Sequence, residues 1–430
     1  MNKRRIIHQQ IYLVLTMALF FIFPMFKKLA PLIVVLMIVN WFAEGHFRNK
    51  FSALFNDNWT FPLMFALSMV FYGMHATWYL FDSSSIHQYN ELEMKLSFVA
   101  FPLILLTIYA FRFKKEYGKW FLSAYLGGAF LSSAYCLIQA FIKYIESGNA
   151  EMMYYLNFSV LAHPTYYAMY MITAVLIIVN ILYREWNNMK KWLKAILFFS
   201  IPWFILMVML SNSRAAILTM GLVVLFLLIY IIFKTKKYLA GIIIVVILAA
   251  GGVSTKLLMP HIFDRFNMGI GEVLHARTMD DIEHWNGTTL RVQVYYCSFE
   301  LVEENFWFGV GPDKVSDKLM EKYQKYGFRH AAERGYNAHN QFLQVFIGMG
   351  LIGLLVFLAL LIIPFIYAIR EGDFMQMAFI IMLMTLFLFE SMLQRQAGIM
   401  FIVFMLLFFH ARERIMSAPK RLINEHTSES

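Results

Sequence analysis

Apolar runs recur along almost the whole chain, separated by short polar connections, and each is about 16 to 22 residues long, enough at 1.5 Å per residue to cross a hydrocarbon core of ~30 Å. They lie near residues 11–26, 29–43, 60–80, 96–111, 120–142, 165–183, 192–210, 213–233, 238–259, 340–369, 374–390 and 394–411. Residues 192–233 read as one uninterrupted run, which as a single helix would measure about 63 Å, twice the hydrocarbon thickness. The run must therefore break, and Ser211-Asn212-Ser213 is its cluster of turn-forming residues. The pattern predicts an all-α integral membrane protein of about 12 transmembrane helices. Its expected organisation is nine spans over 1–259, a long loop over 260–338, three more spans over 339–411 and a tail over 412–430.

Composition agrees with lipid as the solvent: 60% of residues are hydrophobic and only 15% charged. Residues 11–26 contain no small-residue cleavage site and run on into the next apolar stretch, so the first span is expected to be retained. A net charge of +10 could suggest nucleic acid, but its distribution follows the positive-inside rule instead. Basic clusters such as Lys3-Arg4-Arg5, Arg112/Lys114/Lys115/Lys119 and Lys234/Lys236/Lys237 fall in alternate connections. The intervening short connections hold only Lys27, Lys28, Lys95, Lys143, Arg214 and Arg395. Both termini are thus expected inside and the long loop outside. Cys136 and Cys297 are too few and too differently placed for a disulfide framework.

The long loop has the pattern of folded structure. From Thr288 or Thr289 as cap, Leu290, Val294, Cys297 and Leu301 repeat at helical spacing opposite Gln293, Glu300 and Glu304. A second amphipathic helix is expected after Pro312-Asp313, with Val315, Leu319 and Tyr323 on one face and Glu321 paired with Lys325 on the other. Gly309-Val310-Gly311-Pro312 reads as a tight turn between them, and the two helices are expected to roof a cavity at the membrane surface.

Chemistry concentrates at the outer ends of the spans. Arg214 follows the predicted turn directly; a snorkelling arginine is the simplest structural reading, but a guanidinium at a membrane boundary also offers a flat, permanently charged fork for phosphate. Arg291 opens the first loop helix, where the helix N-terminus would add positive potential. His339 lies at the outer entrance of the span over 340–369, where a neutral imidazole could accept a hydroxyl proton near pH 7 or simply line the helix start. His163-Pro164 stands at a similar entrance, with proline in an ordinary helix-opening position. Asp280-Asp281 with Glu283 and His284 reads as a solvated acidic turn rather than a metal site, and no zinc spacing or glycine-rich phosphate loop is present.

These pieces, taken in order, resemble the O-antigen ligase and O-antigen polymerase family of bacterial membrane glycosyltransferases. The matching segments are His163-Pro164-Thr165-Tyr166-Tyr167, Leu210-Ser211-Asn212-Ser213-Arg214-Ala215-Ala216, Arg291, Phe308-Gly309-Val310-Gly311-Pro312, Ala338-His339-Asn340, and Gly350-Leu351-Ile352-Gly353. The resemblance implies transfer of a glycan from undecaprenyl diphosphate to an acceptor hydroxyl on the periplasmic side of the inner membrane, without metal or other cofactor. It implies that Arg214 and Arg291 hold the diphosphate, that His339 activates the acceptor hydroxyl, and that His163 and Asn340 contribute to substrate binding. One departure is Asn212-Ser213, where glycine is common in relatives. A ligase acting on lipid A–core is the expected member of the class; a polymerase and a protein O-oligosaccharyltransferase share the donor and stay open. A transporter or flippase would place ionisable residues inside the spans, and these span interiors are nearly free of charge.

Overall fold

The computed structural model describes residues 3–55, 58–81, 89–107, 111–236 and 289–417. Among them every regular element is helical. In chain order these are α1 (Lys3–Ile22), α2 (Ala30–Glu44), α3 (Phe47–Phe55), α4 (Thr60–Phe81), α5 (Tyr89–Lys95), α6 (Ser97–Leu106), α7 (Lys115–Ser147), α8 (Tyr155–Phe158), α9 (Pro164–Glu185), α10 (Lys191–Leu210) and α11 (Arg214–Thr235). They continue as α12 (Thr289–Glu304), α13 (Val315–Lys325), α14 (Arg329–Arg334), α15 (Gln341–Glu371), α16 (Phe374–Phe387) and α17 (Gln396–Ile415).

Each predicted apolar run coincides with a helix except 238–259, which lies outside the described residues, as do the first part of the long loop and the end of the tail. Among the described residues six helices, α1, α7, α9, α10, α11 and α15, are long and apolar enough to cross a membrane; α2 and α3, bent by 105° at a short break, would make a seventh span. Large apolar side chains such as Val39, Ile138, Phe199 and Phe233 point outward from these helices. The chain is a multi-pass membrane protein. Other runs are shorter as helices than expected. Within the run over 96–111, α6 has 10 residues, about 15 Å. It stops where Thr107 turns its hydroxyl back onto Leu103 O and accepts a hydrogen bond from Trp41 Nε1 at 3.0 Å. α16 has 14 residues, about 21 Å.

Helices α9 and α17 are buried on nearly all sides, and the remaining apolar helices pack around them. Two charge pairs are enclosed by the packing. At the α2–α3 bend Lys50 meets Glu44 at 2.9 Å, both almost fully buried, and lies 4.3 Å over the Trp41 ring. At the ends of α16 and α17, Asp373 and Arg412 meet at 2.8 Å.

The expected turn between α10 and α11 is present. Asn212 adopts φ 47°, a left-handed conformation that asparagine tolerates better than most residues, so the absence of glycine does not disturb the path into Arg214.

The long loop has its own core. Val294, Cys297 and Leu301 of α12 pack against Val315, Leu319 and Tyr323 of α13, as their spacing predicts, together with Ile347 of α15. Burial pushes the Cys297 thiol up to about 12, so it is protonated and inert at neutral pH. Two details differ from expectation. Gln293 is buried rather than solvated. Glu321 pairs with Lys318 at 2.7 Å, one turn back, because Lys325 reaches across to Glu300 on α12 at 2.9 Å. Lys322 joins the same network, 3.0 Å from Glu300 and 2.6 Å from Glu304. Burial raises the Glu300 carboxyl, but hydrogen bonds from Lys325 and Lys322 override it and bring the group down to about 2.

This unit docks onto an interruption of α15. Gly350 takes φ 63° and ψ −165°, outside helical space, which frees backbone groups on either side. Val310 N then donates to Ile347 O at 2.8 Å, Gly311 N to Gly348 O at 3.0 Å, and Leu351 N to Phe306 O at 2.8 Å. A Cβ on Gly350 would lie 2.3 Å from the Trp307 backbone. Gly350→Ala is therefore expected to cost at least about 1–3 kcal/mol from backbone strain alone, with the clash added, and to lower the thermal unfolding midpoint in detergent. Gly73→Ala in α4, where a Cβ meets nothing within 4 Å, should leave the midpoint unchanged or slightly higher; equal behaviour of the two variants would contradict this docking.

Candidate functional site

Three helix ends and one short loop build the site. The loop, residues 388–395, joins α16 to α17 and is fixed by side chains from elsewhere. Lys95 Nζ donates to Leu393 O at 2.5 Å, and Leu393 N donates to Gln341 Oε1 at 2.7 Å. Arg291 Nη2 donates to Phe389 O at 3.0 Å, and Tyr295 OH to Leu388 O at 3.1 Å. The loop carries Glu390, which is 7% exposed.

His339 faces Glu390. It precedes α15 in a left-handed conformation, φ 45°, unusual for a bulky residue and a form of strain that persists only where surroundings hold it. Its backbone N–H donates to Asn337 Oδ1 at 3.0 Å, and its ring lies 5.2 Å from that of Tyr336. The next residue, Asn340, caps α15 by accepting from Phe342 N at 2.9 Å and Leu343 N at 3.1 Å. This strained turn and cap aim the His339 Nδ1 at Glu390 Oε2, 3.6 Å away. That is an ion-pair distance, longer than a hydrogen bond. Nδ1 itself is buried while a quarter of the side chain remains accessible, so what the ring offers to the outside is not its Nδ1 edge.

The surroundings of Glu390 are strongly basic. Burial raises its proton affinity, but His339, and then His163 and Arg291, outweigh it and hold the carboxyl below the ordinary carboxylate range. Arg291, in the first turn of α12, also lies 5.9 Å over the Phe389 ring, so its position is set by both backbone and ring. His163 is the N-cap residue of α9 with Pro164 opening the helix, as its sequence implies. Two residues on, Thr165 Oγ1 lies 3.2 Å from Ser213 Oγ, the residue before Arg214. Arg214 is the first residue of α11 and is partly exposed.

The residues singled out from the sequence thus meet in part. His339 faces Glu390, and Arg291 and His163 lie near enough to lower the proton affinity of the same carboxylate; Arg214 adjoins His163 through the Thr165–Ser213 contact. Asn340 stands beside His339, with its side-chain oxygen engaged in the helix cap. Asp280-Asp281-Glu283-His284 lies outside the described residues, and among the described residues no three metal-ligating side chains converge. Glu390 is the functional candidate that the sequence reading passed over. Its signal was there: a carboxylate at the end of the apolar run 374–390 and in the last short external connection of the predicted topology.

The chain is thus a multi-pass helical membrane protein whose polar residues collect where the helices of the long loop meet the ends of the apolar helices. Residues 199–358 match the family model described as O-antigen ligase. The match supports a glycosyltransferase-type enzyme of the O-antigen ligase and polymerase kind. No curated protein sequence matches the chain. The matched stretch takes in Arg214, Arg291, His339 and Asn340, while His163 and Glu390 stand on either side of it.

The depressed proton affinity of Glu390 carries a pH consequence. Its stabilising contribution is present above the ordinary carboxylate range, about pH 4.3 for an unfolded chain. It is lost as pH falls through the lower folded-state value. The stability difference between the wild-type chain and Glu390→Gln is therefore expected to shrink on acidification, as read by denaturation midpoints in detergent from neutral pH downward; a difference that grew on acidification would reverse the assigned sign.

Proposed function

We propose that the protein is an O-antigen ligase of the bacterial inner membrane, moving a glycan from undecaprenyl diphosphate to a hydroxyl of lipid A–core on the periplasmic face. The observation that carries this reading is the juxtaposition of His339 with buried Glu390 and Arg291, within and beside the O-antigen ligase domain. The proposed topology has about 12 spans with both termini cytoplasmic. It includes the shorter helices as partners of longer ones and places the roof of α12–α14 in the periplasm.

In this mechanism Arg214 and Arg291 bind the lipid diphosphate and stabilise the charge that builds on it as the anomeric bond breaks. His339 accepts the proton of the acceptor hydroxyl as its oxygen attacks the anomeric carbon, a single displacement that inverts configuration. Glu390 orients the imidazole through Nδ1 and stabilises the imidazolium that forms, the role a carboxylate plays behind a catalytic histidine elsewhere. His163 adds positive potential near the same carboxylate, and Asn340 fixes the helix entrance that presents His339. Two arginines suffice to neutralise the leaving diphosphate without a metal.

Two measurements test this reading. Purified protein given undecaprenyl diphosphate-linked glycan and lipid A–core should lose transfer by on the order of 10²- to 10⁴-fold in Arg291→Ala and in His339→Ala, measured at a temperature below the lowered unfolding midpoint that each variant is expected to show after losing a partner of Glu390; wild-type rates in either variant would remove that residue from the chemistry. In cells, deletion of the chain should leave lipid A–core without O-antigen on a lipopolysaccharide gel. Core bearing a single repeat would instead identify a polymerase, and intact lipopolysaccharide with an under-glycosylated protein would identify a protein acceptor.

A further inference from the structure

A second pair of cations, Lys28 and Arg395, stands next to the site and has no part in the mechanism above. Lys28 lies in the short turn before α2, and Arg395 is the N-cap residue of α17. Together with His163 and Tyr166 of the α9 entrance, they line a cavity of about 210 Å³. Gln396 and Ala397, the first two residues of α17, complete the lining, so the N-terminus of a 20-residue helix adds its positive potential there. The Arg395 guanidinium sits 6.0 Å over the Tyr166 ring.

Three features mark this cavity as a binding site. Among the described residues neither Lys28 nor Arg395 pairs with a carboxylate, and both are exposed. By contrast, of the four lysines that line the larger groove of about 550 Å³ on the roof, Lys318, Lys322 and Lys325 each pair with a glutamate. In the proposed topology both Lys28 and Arg395 lie at external helix ends, where the positive-inside bias leaves few basic residues. The volume falls below the ~300–1,000 Å³ of pockets that enclose a whole small molecule, which suits one charged group of a larger ligand. Its apolar share, from Ala162, Tyr166 and Ala397, suits a ligand that continues into lipid.

We infer that the Lys28–His163–Arg395 cavity is a second anion site that takes the phosphate group of a membrane lipid, apart from the diphosphate clamp assigned to Arg214 and Arg291. The inference rests on the proposed function only for the separation of these two sites. Positioned beside His163, whose other neighbour is the Glu390 cluster, the cavity would hold a lipid-borne substrate by a phosphate that does not react.

Native mass spectrometry of the full-length protein released from detergent tests it, with undecaprenyl phosphate as probe and undecaprenol as the neutral control. The wild-type chain is expected to retain two equivalents of undecaprenyl phosphate and Arg214→Ala/Arg291→Ala one. Adding Lys28→Ala and Arg395→Ala to that background should remove the last equivalent, while Lys28→Arg/Arg395→Lys should keep it and undecaprenol adducts should persist throughout. Unchanged unfolding midpoints would show that the variants fold. Retention of the last equivalent without Lys28 and Arg395, or its loss in the charge-conserving variant, would overturn the inference. Displacement of that equivalent by excess inorganic phosphate would likewise overturn a lipid ligand in favour of free phosphate. Failure of Arg214→Ala/Arg291→Ala to remove the first equivalent would count against the catalytic reading alone, because the response to Lys28 and Arg395 is read separately.

Discussion

A carboxylate removed from water is costly unless opposite charge or hydrogen-bond donors meet it. Glu390 is met by His339, His163 and Arg291, which come from the entrances of three different helices. That single requirement ties the architecture together. The loop bearing Glu390 is pinned by Lys95 and Gln341 on one side and by Arg291 and Tyr295 on the other. Gln341 is also the first residue of α15, so the backbone that presents His339 and the backbone that presents Glu390 are joined by a hydrogen bond through Leu393. An imidazole and a carboxylate held this way are pre-organised: neither has to be recruited when a substrate arrives.

The roof depends on a second constraint. A helix that continued unbroken through Gly350 would satisfy its own carbonyls and leave the Phe306–Pro312 turn nothing to bond. The left-handed glycine interrupts α15 and transfers three backbone hydrogen bonds to the turn. α12 is thereby anchored at its far end while Arg291, at its near end, reaches the Glu390 loop. Position of the arginine at the site is thus coupled to a glycine well away from it along α15. The short Gly350-Leu351-Ile352-Gly353 segment, which has no chemistry of its own, earns its place through geometry.

Much of this was legible in the residues. Apolar runs located the helices, the length of 192–233 forced a break that Asn212 accommodates with a left-handed turn, and three- and four-residue spacing picked out the buried faces of α12 and α13. His339, Arg291 and His163 were recognisable because polar groups at span ends stand out against lipid-facing sequence. Glu390 also stands at the end of an apolar run, but its pairing was not legible, because nothing in a linear pattern tells that a carboxylate in one connection faces a histidine in another. The Lys325–Glu300 pairing escaped for the same reason: an i,i+4 rule sees one helix, whereas the structure offers a partner on another. The length of α6 also depended on a tertiary contact, the Trp41–Thr107 hydrogen bond.

In the proposed mechanism His339 and Glu390 act as one unit in glycan transfer. A double-mutant cycle in transfer rate, comparing His339→Ala, Glu390→Gln and the combined variant, tests it most directly. The second substitution is expected to add almost nothing once the first is made, since a carboxylate that works by orienting and stabilising an imidazole has no role without it. Losses that multiply independently in the combined variant would show instead that Glu390 acts apart from His339.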